Sequence, residues 1–230
     1  MRKLVVSLAS AVALFATAGF AAAADLPVKA RPYVSAPAFS WTGIYVGANV
    51  GYAWGRTTGT AGIAAPAVGH FDINGWQAGG QIGGNYQIQN WVLGIEADYQ
   101  WADIDGSATV GAVTDTARVR SYGTLRGRVG YAWDRWMVYG TGGWAFDART
   151  RYTFATPAAF SGSRDLNGWA AGAGVEYAFA PNWSAKLEYL HVDLDSRTFP
   201  TLGCAPVACT AGARFDTVRV GLNYRFWGGR

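Results

Sequence analysis

From residue 41 onward, apolar and polar positions alternate with a period of two along nearly the whole chain. Side chains of an extended strand point to opposite faces in turn, so this period predicts β-strands. The stretch over residues 217–226 shows it most cleanly. Val218, Val220, Leu222, Tyr224 and Phe226 share one face, and Thr217, Arg219, Gly221, Asn223 and Arg225 share the other. A soluble sandwich buries such an apolar face, whereas a membrane barrel turns it to lipid and keeps the polar face for the lumen. One strand does not separate the two readings; the repeats along the chain do.

Seven further strands carry the pattern. The first, over residues 42–54, puts Ile44, Val46, Ala48, Val50, Tyr52 and Trp54 on the apolar face. The second, over 75–89, sets Trp76, Ala78, Ile82 and Tyr86 against Gln77, Gln81 and Asn85. The third sets Trp91, Leu93, Ile95, Tyr99 and Trp101 against Glu96, Asp98 and Gln100. In the fourth, Val119, Leu125, Val129, Tyr131 and Trp133 oppose Arg120, Tyr122, Thr124, Arg126 and Arg128. The fifth turns Trp136, Val138, Trp144 and Phe146 outward, and the sixth runs from Trp169 to Phe179 with Glu176 inward. The seventh opposes Trp183, Ala185, Leu187 and Tyr189 to Ser184, Lys186 and Glu188.

The connections alternate in length. Tight turns fall at Gln89-Asn90, Asp134-Arg135 and Ala180-Pro181-Asn182; long loops cover 55–71, 105–117, 150–165 and 195–214. Outer-membrane barrels have short periplasmic turns and long outer loops. The expected fold is therefore all-β, an eight-stranded antiparallel up-and-down transmembrane β-barrel with both ends in the periplasm. Its last strand should pair with its first, because an open edge is not tolerated in lipid. The large aromatics agree. Trp91, Trp133, Trp136, Trp183 and Phe226 lie near the tight turns, and Trp54, Trp76, Trp101, Trp144 and Trp169 near the long loops. Two rings of this kind are the girdles of a membrane barrel; core anchors of a sandwich would crowd the strand centres.

Composition supports this frame. Only 15% of residues are charged, against roughly 25% in soluble domains. Beyond the N-terminus there is no run of ~18 apolar residues, which excludes a helical membrane protein. Residues 1–24 read as a secretory signal: Arg2 and Lys3, an apolar segment, then Ala22-Ala23-Ala24 as a cleavage site. Residues 25–40, with Pro27, Pro32 and Pro37, read as an extended periplasmic linker, leaving 41–230 for the barrel. The chain has 19 basic and 15 acidic residues, a net +4; loss of Arg2 and Lys3 leaves 17 against 15, or +2. Its basicity thus partly reflects targeting, and no nucleic-acid partner is expected. Cys204 and Cys209 predict a short-loop disulfide, the default in an exported protein. A metal site would need further ligands, and His70 and His191 lie far away in sequence.

The lumen face collects Glu96, Asp98, Glu176 and Glu188 with Arg120, Arg126, Arg128, Lys186, Arg219 and Arg225. An eight-stranded barrel is just wide enough for side chains to fill, and buried charges must pair. These groups suit a salt-bridged plug or a constricted ion path, and the strand number favours the plug. Chemistry finds less to work with. His191 has Asp193, Asp195 and Ser196 nearby, but proximity in sequence is not triad geometry, and polar residues at a loop base are the simpler reading. No enzyme, metal or cofactor is expected. A weak internal repeat is also present: Asp72-Ile73-Asn74-Gly75-Trp76 recurs as Asp165-Leu166-Asn167-Gly168-Trp169, and Thr124-Leu125-Arg126 as Thr217-Val218-Arg219.

The stretch Trp41-Thr42-Gly43-Ile44-Tyr45-Val46-Gly47-Ala48-Asn49-Val50-Gly51-Tyr52 resembles the first strand of the small alphaproteobacterial porin-family or outer-membrane immunogenic proteins. So do Gly123-Thr124-Leu125-Arg126-Gly127-Arg128-Val129-Gly130-Tyr131 and Val138-Tyr139-Gly140-Thr141-Gly142-Gly143. More distantly the chain is similar to the OmpA and opacity-protein barrels. The resemblance implies an antigenic surface barrel of the Gram-negative outer membrane that supports envelope integrity, some members being porin-like or ligand-binding. Such proteins usually end on the terminal aromatic, whereas here Trp227-Gly228-Gly229-Arg230 follow Phe226. Expected partners are outer-membrane lipids including lipopolysaccharide, the barrel insertion machinery, and surface ligands reached through the loops. A narrow diffusion channel and an adhesin are the alternative functions.

Overall fold

The computed structural model describes residues 39–60, 71–110, 113–154, 160–199 and 209–226. Eight strands follow one another: β1 (Gly43–Thr60), β2 (Asp72–Ile88), β3 (Trp91–Val110), β4 (Val113–Trp133), β5 (Trp136–Phe154), β6 (Phe160–Ala178), β7 (Trp183–Phe199) and β8 (Cys209–Arg225). Each pairs antiparallel with its neighbours in sequence, and β8 pairs with β1 in a register that sets Val220 opposite Val50 and Arg219 opposite Gly51. The closed ring leaves no edge in lipid. At the tight turns Gln89 and Asp134 hold φ of 55° and 53°, the left-handed conformation that lets a two-residue turn follow the twist of its strands. Ala180 and Trp183 exchange backbone hydrogen bonds of 3.3 Å across the third turn.

The strands reach well beyond the lipid. A membrane strand needs ~9–11 residues, yet β2 has 17 and β4 has 21. On β3 the exposed Trp91 and Trp101 bracket the membrane part. The ten steps between them, tilted by ~40°, rise about 25 Å, the height of an outward apolar band. Much of the four long loops expected from sequence is therefore strand: β1 continues to Thr60, β3 to Val110, β5 to Phe154 and β7 to Phe199.

The extensions escape the alternation rule because its sign reverses above the outer girdle. Below it, β8 turns Val218 and Val220 outward and Arg219 and Asn223 inward. Above it, Arg214 is outward and exposed, while Ala213 and Phe215 are buried. β3 does the same, with Asp103 and Asp105 outside and Ala102 and Ile104 inside, and β7 buries Val192 and Leu194. Outside the membrane the outer wall meets water, so polar residues belong there and apolar ones fill the interior. Register breaks cluster at this level, between Trp101 and Ile104, Val119 and Gly123, Ala145 and Ala148, and Leu194 and Arg197.

One break corrects an expectation. Arg120, placed by parity in the lumen, lies on the outer surface, with Nη1 3.8 Å from the exposed Asp103. The irregularity from Val119 to Gly123 shifts the strand by one position, so Val119 and Tyr122 are both buried. A bulge of this kind reassigns every side chain on one side of it.

Candidate functional site

Inside the membrane part, the inward positions of β3, β4, β6, β7 and β8 converge on one ionic layer. Arg126 Nη2 donates to Glu96 Oε1 and to Asp98 Oδ2, both at 2.7 Å, and its Nη1 donates to Glu188 Oε1 at 3.2 Å. Arg219 donates to Asp98 Oδ1 at 3.0 Å and also binds Glu188. Lys186 Nζ sits 2.9 Å from Glu96 Oε1, and Arg128 Nη2 is 2.9 Å from Glu176 Oε2. Four carboxylates thus meet four cations, so the layer is neutral. None of these eight residues is more than 4% exposed. Neutral groups satisfy the remaining oxygens: Thr124 Oγ1 donates to Asp98 at 2.6 Å, and Ser184 Oγ and Asn223 Nδ2 donate to Glu176 at 2.6 and 2.9 Å.

The two halves of the chain build opposite walls of this layer from matching parts. Tyr45 OH donates to Glu96 Oε2 at 2.7 Å, and Tyr139 OH donates to Glu188 Oε2 at 2.9 Å. Arg126 and Arg219, which occupy equivalent places in the sequence repeat, bind Glu96 and Glu188 respectively. Each tyrosine ring lies over a glycine of the next strand: Tyr45 over Gly83, and Tyr139 over Gly174. A Cβ on either glycine would come within 2.4 or 2.6 Å of the ring. Neither tyrosine was expected in the site. Their inward parity is the only signal in the sequence, and the carboxylate each one meets depends on register.

Buried apolar layers flank the ionic layer on both sides. Toward the long loops, Ile73, Ile104, Val119, Leu166, Val192 and Phe215 belong to one buried cluster, and the Tyr122 ring stands edge-on to Phe215 at 5.3 Å. Tyr122 OH reaches back to Gln77 Oε1 at 2.7 Å, and Gln77 Nε2 to Thr217 Oγ1 at 2.8 Å, which joins this cluster to the polar interior. At the tight-turn end, Phe39 and Trp41 fold into the mouth and pack with Val92, Ala132, Met137, Tyr139 and Ala178. The segment read as an extended linker through residue 40 therefore already joins this apolar layer at Phe39.

Arg225 departs from its expected role as well. It is buried but stacks on rings instead of meeting a carboxylate, its guanidinium carbon 4.7 Å from the Trp41 centroid and 5.2 Å from that of Phe39. A cation over an aromatic face is held by the ring quadrupole without a counter-ion.

The ten girdle aromatics, Trp54, Trp76, Trp91, Trp101, Trp133, Trp136, Trp144, Trp169, Trp183 and Phe226, are all exposed on the outer wall. His191 does not meet Asp193: its Nδ1 lies 2.7 Å from Asp216 Oδ1, while Asp193 binds Arg214. The neighbouring strand supplies each partner, which sequence proximity does not report. The disulfide expected between Cys204 and Cys209, the signal at residues 1–24 and the overhang 227–230 fall outside the described residues, except for the backbone of Cys209.

A closed eight-stranded ring with two aromatic girdles, a lipid-facing apolar wall and a charged interior defines an outer-membrane β-barrel. The chain belongs to the outer membrane protein beta-barrel domain family, which it matches over residues 9–226. It is 37% identical to a 31 kDa outer-membrane immunogenic protein of Brucella melitensis, over 96% of this chain and 99% of that one. A 25 kDa outer-membrane immunogenic protein of Brucella canis is 30% identical over 97% and 98% of the two chains. A 22 kDa outer membrane protein of Rhizobium leguminosarum is 30% identical over 89% and 83%. The protein is accordingly one of the Gram-negative outer membrane.

Proposed function

We propose that this barrel serves the envelope as a structural element with a closed lumen, and that its business with the outside is done by the rim of strands standing above the membrane. The observation that carries the reading is the burial of the ionic layer. A water-filled path would bathe some of its charges, yet all eight residues are at most 4% exposed. The apolar clusters on either side add two further closures to the same axis. The names of the Brucella relatives suit a protein whose rim is presented at the cell surface. No catalytic role is assigned to the barrel.

Single-channel recording on refolded mature protein in planar bilayers tests this. The expected record is silent, or shows only small and infrequent steps. Large, steady currents would overturn the closed-lumen reading in favour of a diffusion pore.

A further inference from the structure

On the outer wall, one step above Trp54, Arg56 of β1 stands directly opposite Arg214 of β8. Like charges facing each other on adjacent strands repel. Asp72 lies opposite Arg56 on β2, and Asp193 opposite Arg214 on β7, so the order around the barrel is acid, base, base, acid. The acids hold the arginines from the flanks. Arg56 Nε donates to Asp72 Oδ1 at 3.1 Å, while Arg214 donates to Asp193 Oδ2 through Nε at 3.1 Å and Nη2 at 2.7 Å. Both Nη groups of Arg56 and Nη1 of Arg214 then have no partner among the described residues. Both arginine side chains are more than half exposed.

Beneath them opens a concavity of about 850 Å³, lined in part by Tyr52, Trp54, Asn74 and Asp216. The charge of Asp216 is already engaged, because Tyr189 OH donates to it at 2.5 Å and His191 Nδ1 lies at 2.7 Å. Tyr52 and Trp54 therefore give it an aromatic floor, and its upper edge carries Arg56 and Arg214 with Asp72 at the flank of Arg56. It sits at the outer girdle, where lipid headgroups meet the protein.

We propose that this concavity seats the phosphorylated sugar headgroup of an outer-leaflet glycolipid, with its phosphate between Arg56 and Arg214 and its sugar ring against Trp54 and Tyr52. An anion between the two arginines turns their mutual repulsion into shared attraction, and the guanidinium fork matches phosphate geometry. Asp72 and Asp193, drawn to the flanks, confine the phosphate to the β1–β8 seam. Asn74 and the flanking carboxylates offer hydrogen bonds to sugar hydroxyls. A lipid-anchored headgroup fits better than a free anion, because the pocket lies at membrane level and has an aromatic floor that a bare phosphate would not use.

The test uses the refolded full chain in detergent micelles, with purified lipid A and its dephosphorylated form as probes and native mass spectrometry to measure retention. The wild type should hold lipid A roughly tenfold more tightly than an R56Q/R214Q variant, whereas the dephosphorylated form should bind both alike and weakly. Millimolar inorganic phosphate should not displace the lipid. Equal retention by wild type and variant, or equal retention of the two lipids by the wild type, would overturn the proposal. Displacement by inorganic phosphate would overturn the glycolipid assignment. Heat-modifiable gel migration reports whether the variant is folded; if it is not, R56Q alone is read in the same way.

Discussion

Arg126 shows what a single side chain contributes here. Its guanidinium joins Glu96, Asp98 and Glu188, which come from two different strands and both halves of the repeat. Arg120 lies six positions earlier on the same strand and shares its parity, but it is exposed and its ion-pair partner among the described residues is Asp103, at 3.8 Å. The two should therefore respond very differently to mutation. Arg126→Ala leaves buried carboxylates short of a cation and should cost about 3–5 kcal/mol, lowering the temperature at which the barrel loses its heat-modifiable migration. Arg120→Ala should move that temperature hardly at all, its cost staying within about 0.5 kcal/mol. Nothing in the sequence separates these arginines, because the bulge between them is a property of pairing.

At the scale of the element, β3, β7 and β8 change environment along their length without changing parity. The crossing level is marked by Gly75 and Gly168, which hold equivalent places in the repeat. A Cβ on Gly75 would lie 1.9 Å from the carbonyl oxygen of Asp103, and one on Gly168 equally close to that of Asp193. The obstacle in both cases is backbone, which cannot swing aside as a flexible side chain does. Gly75→Ala and Gly168→Ala should each force β3 or β7 away from its neighbour, at a cost of roughly 1–3 kcal/mol. Hydrogen exchange should show the loss mainly in the strand extensions above the girdle. Exchange that stays as slow as in the wild type would mean the strands part more easily than this geometry implies.

For the whole molecule, the proposed closed lumen raises the question of how many of the packed layers across its axis act as a seal. Trp41 is fully buried at the tight-turn end, and its backbone N–H donates to Gln87 Oε1 at 2.7 Å. Trp41→Ala removes the largest piece of that cap and should destabilise the barrel by about 3–5 kcal/mol. It should nonetheless stay silent in planar bilayers, because the ionic layer and the apolar cluster beyond it are untouched. Steady current through this variant would make the cap the only seal.

The period-two pattern by itself determined the strand number, the up-and-down order, the tight turns and the two aromatic rings. The reason is local: within the membrane each residue's polarity reports which face it occupies, since lipid and lumen differ so sharply. Membership of Glu96, Asp98, Arg126, Arg128, Glu176, Lys186, Glu188 and Arg219 in the interior follows from the same parity. Only the tertiary structure decided which of them touch, because ring closure and register bring together residues far apart in the chain. It also decided everything above the girdle, where water replaces lipid and the pattern reverses, so that strand reads as loop. Arg120 was lost to a bulge, and Arg225 to two rings folded in from before the first strand. Polarity records the medium a residue faces, whereas partners are set by pairing.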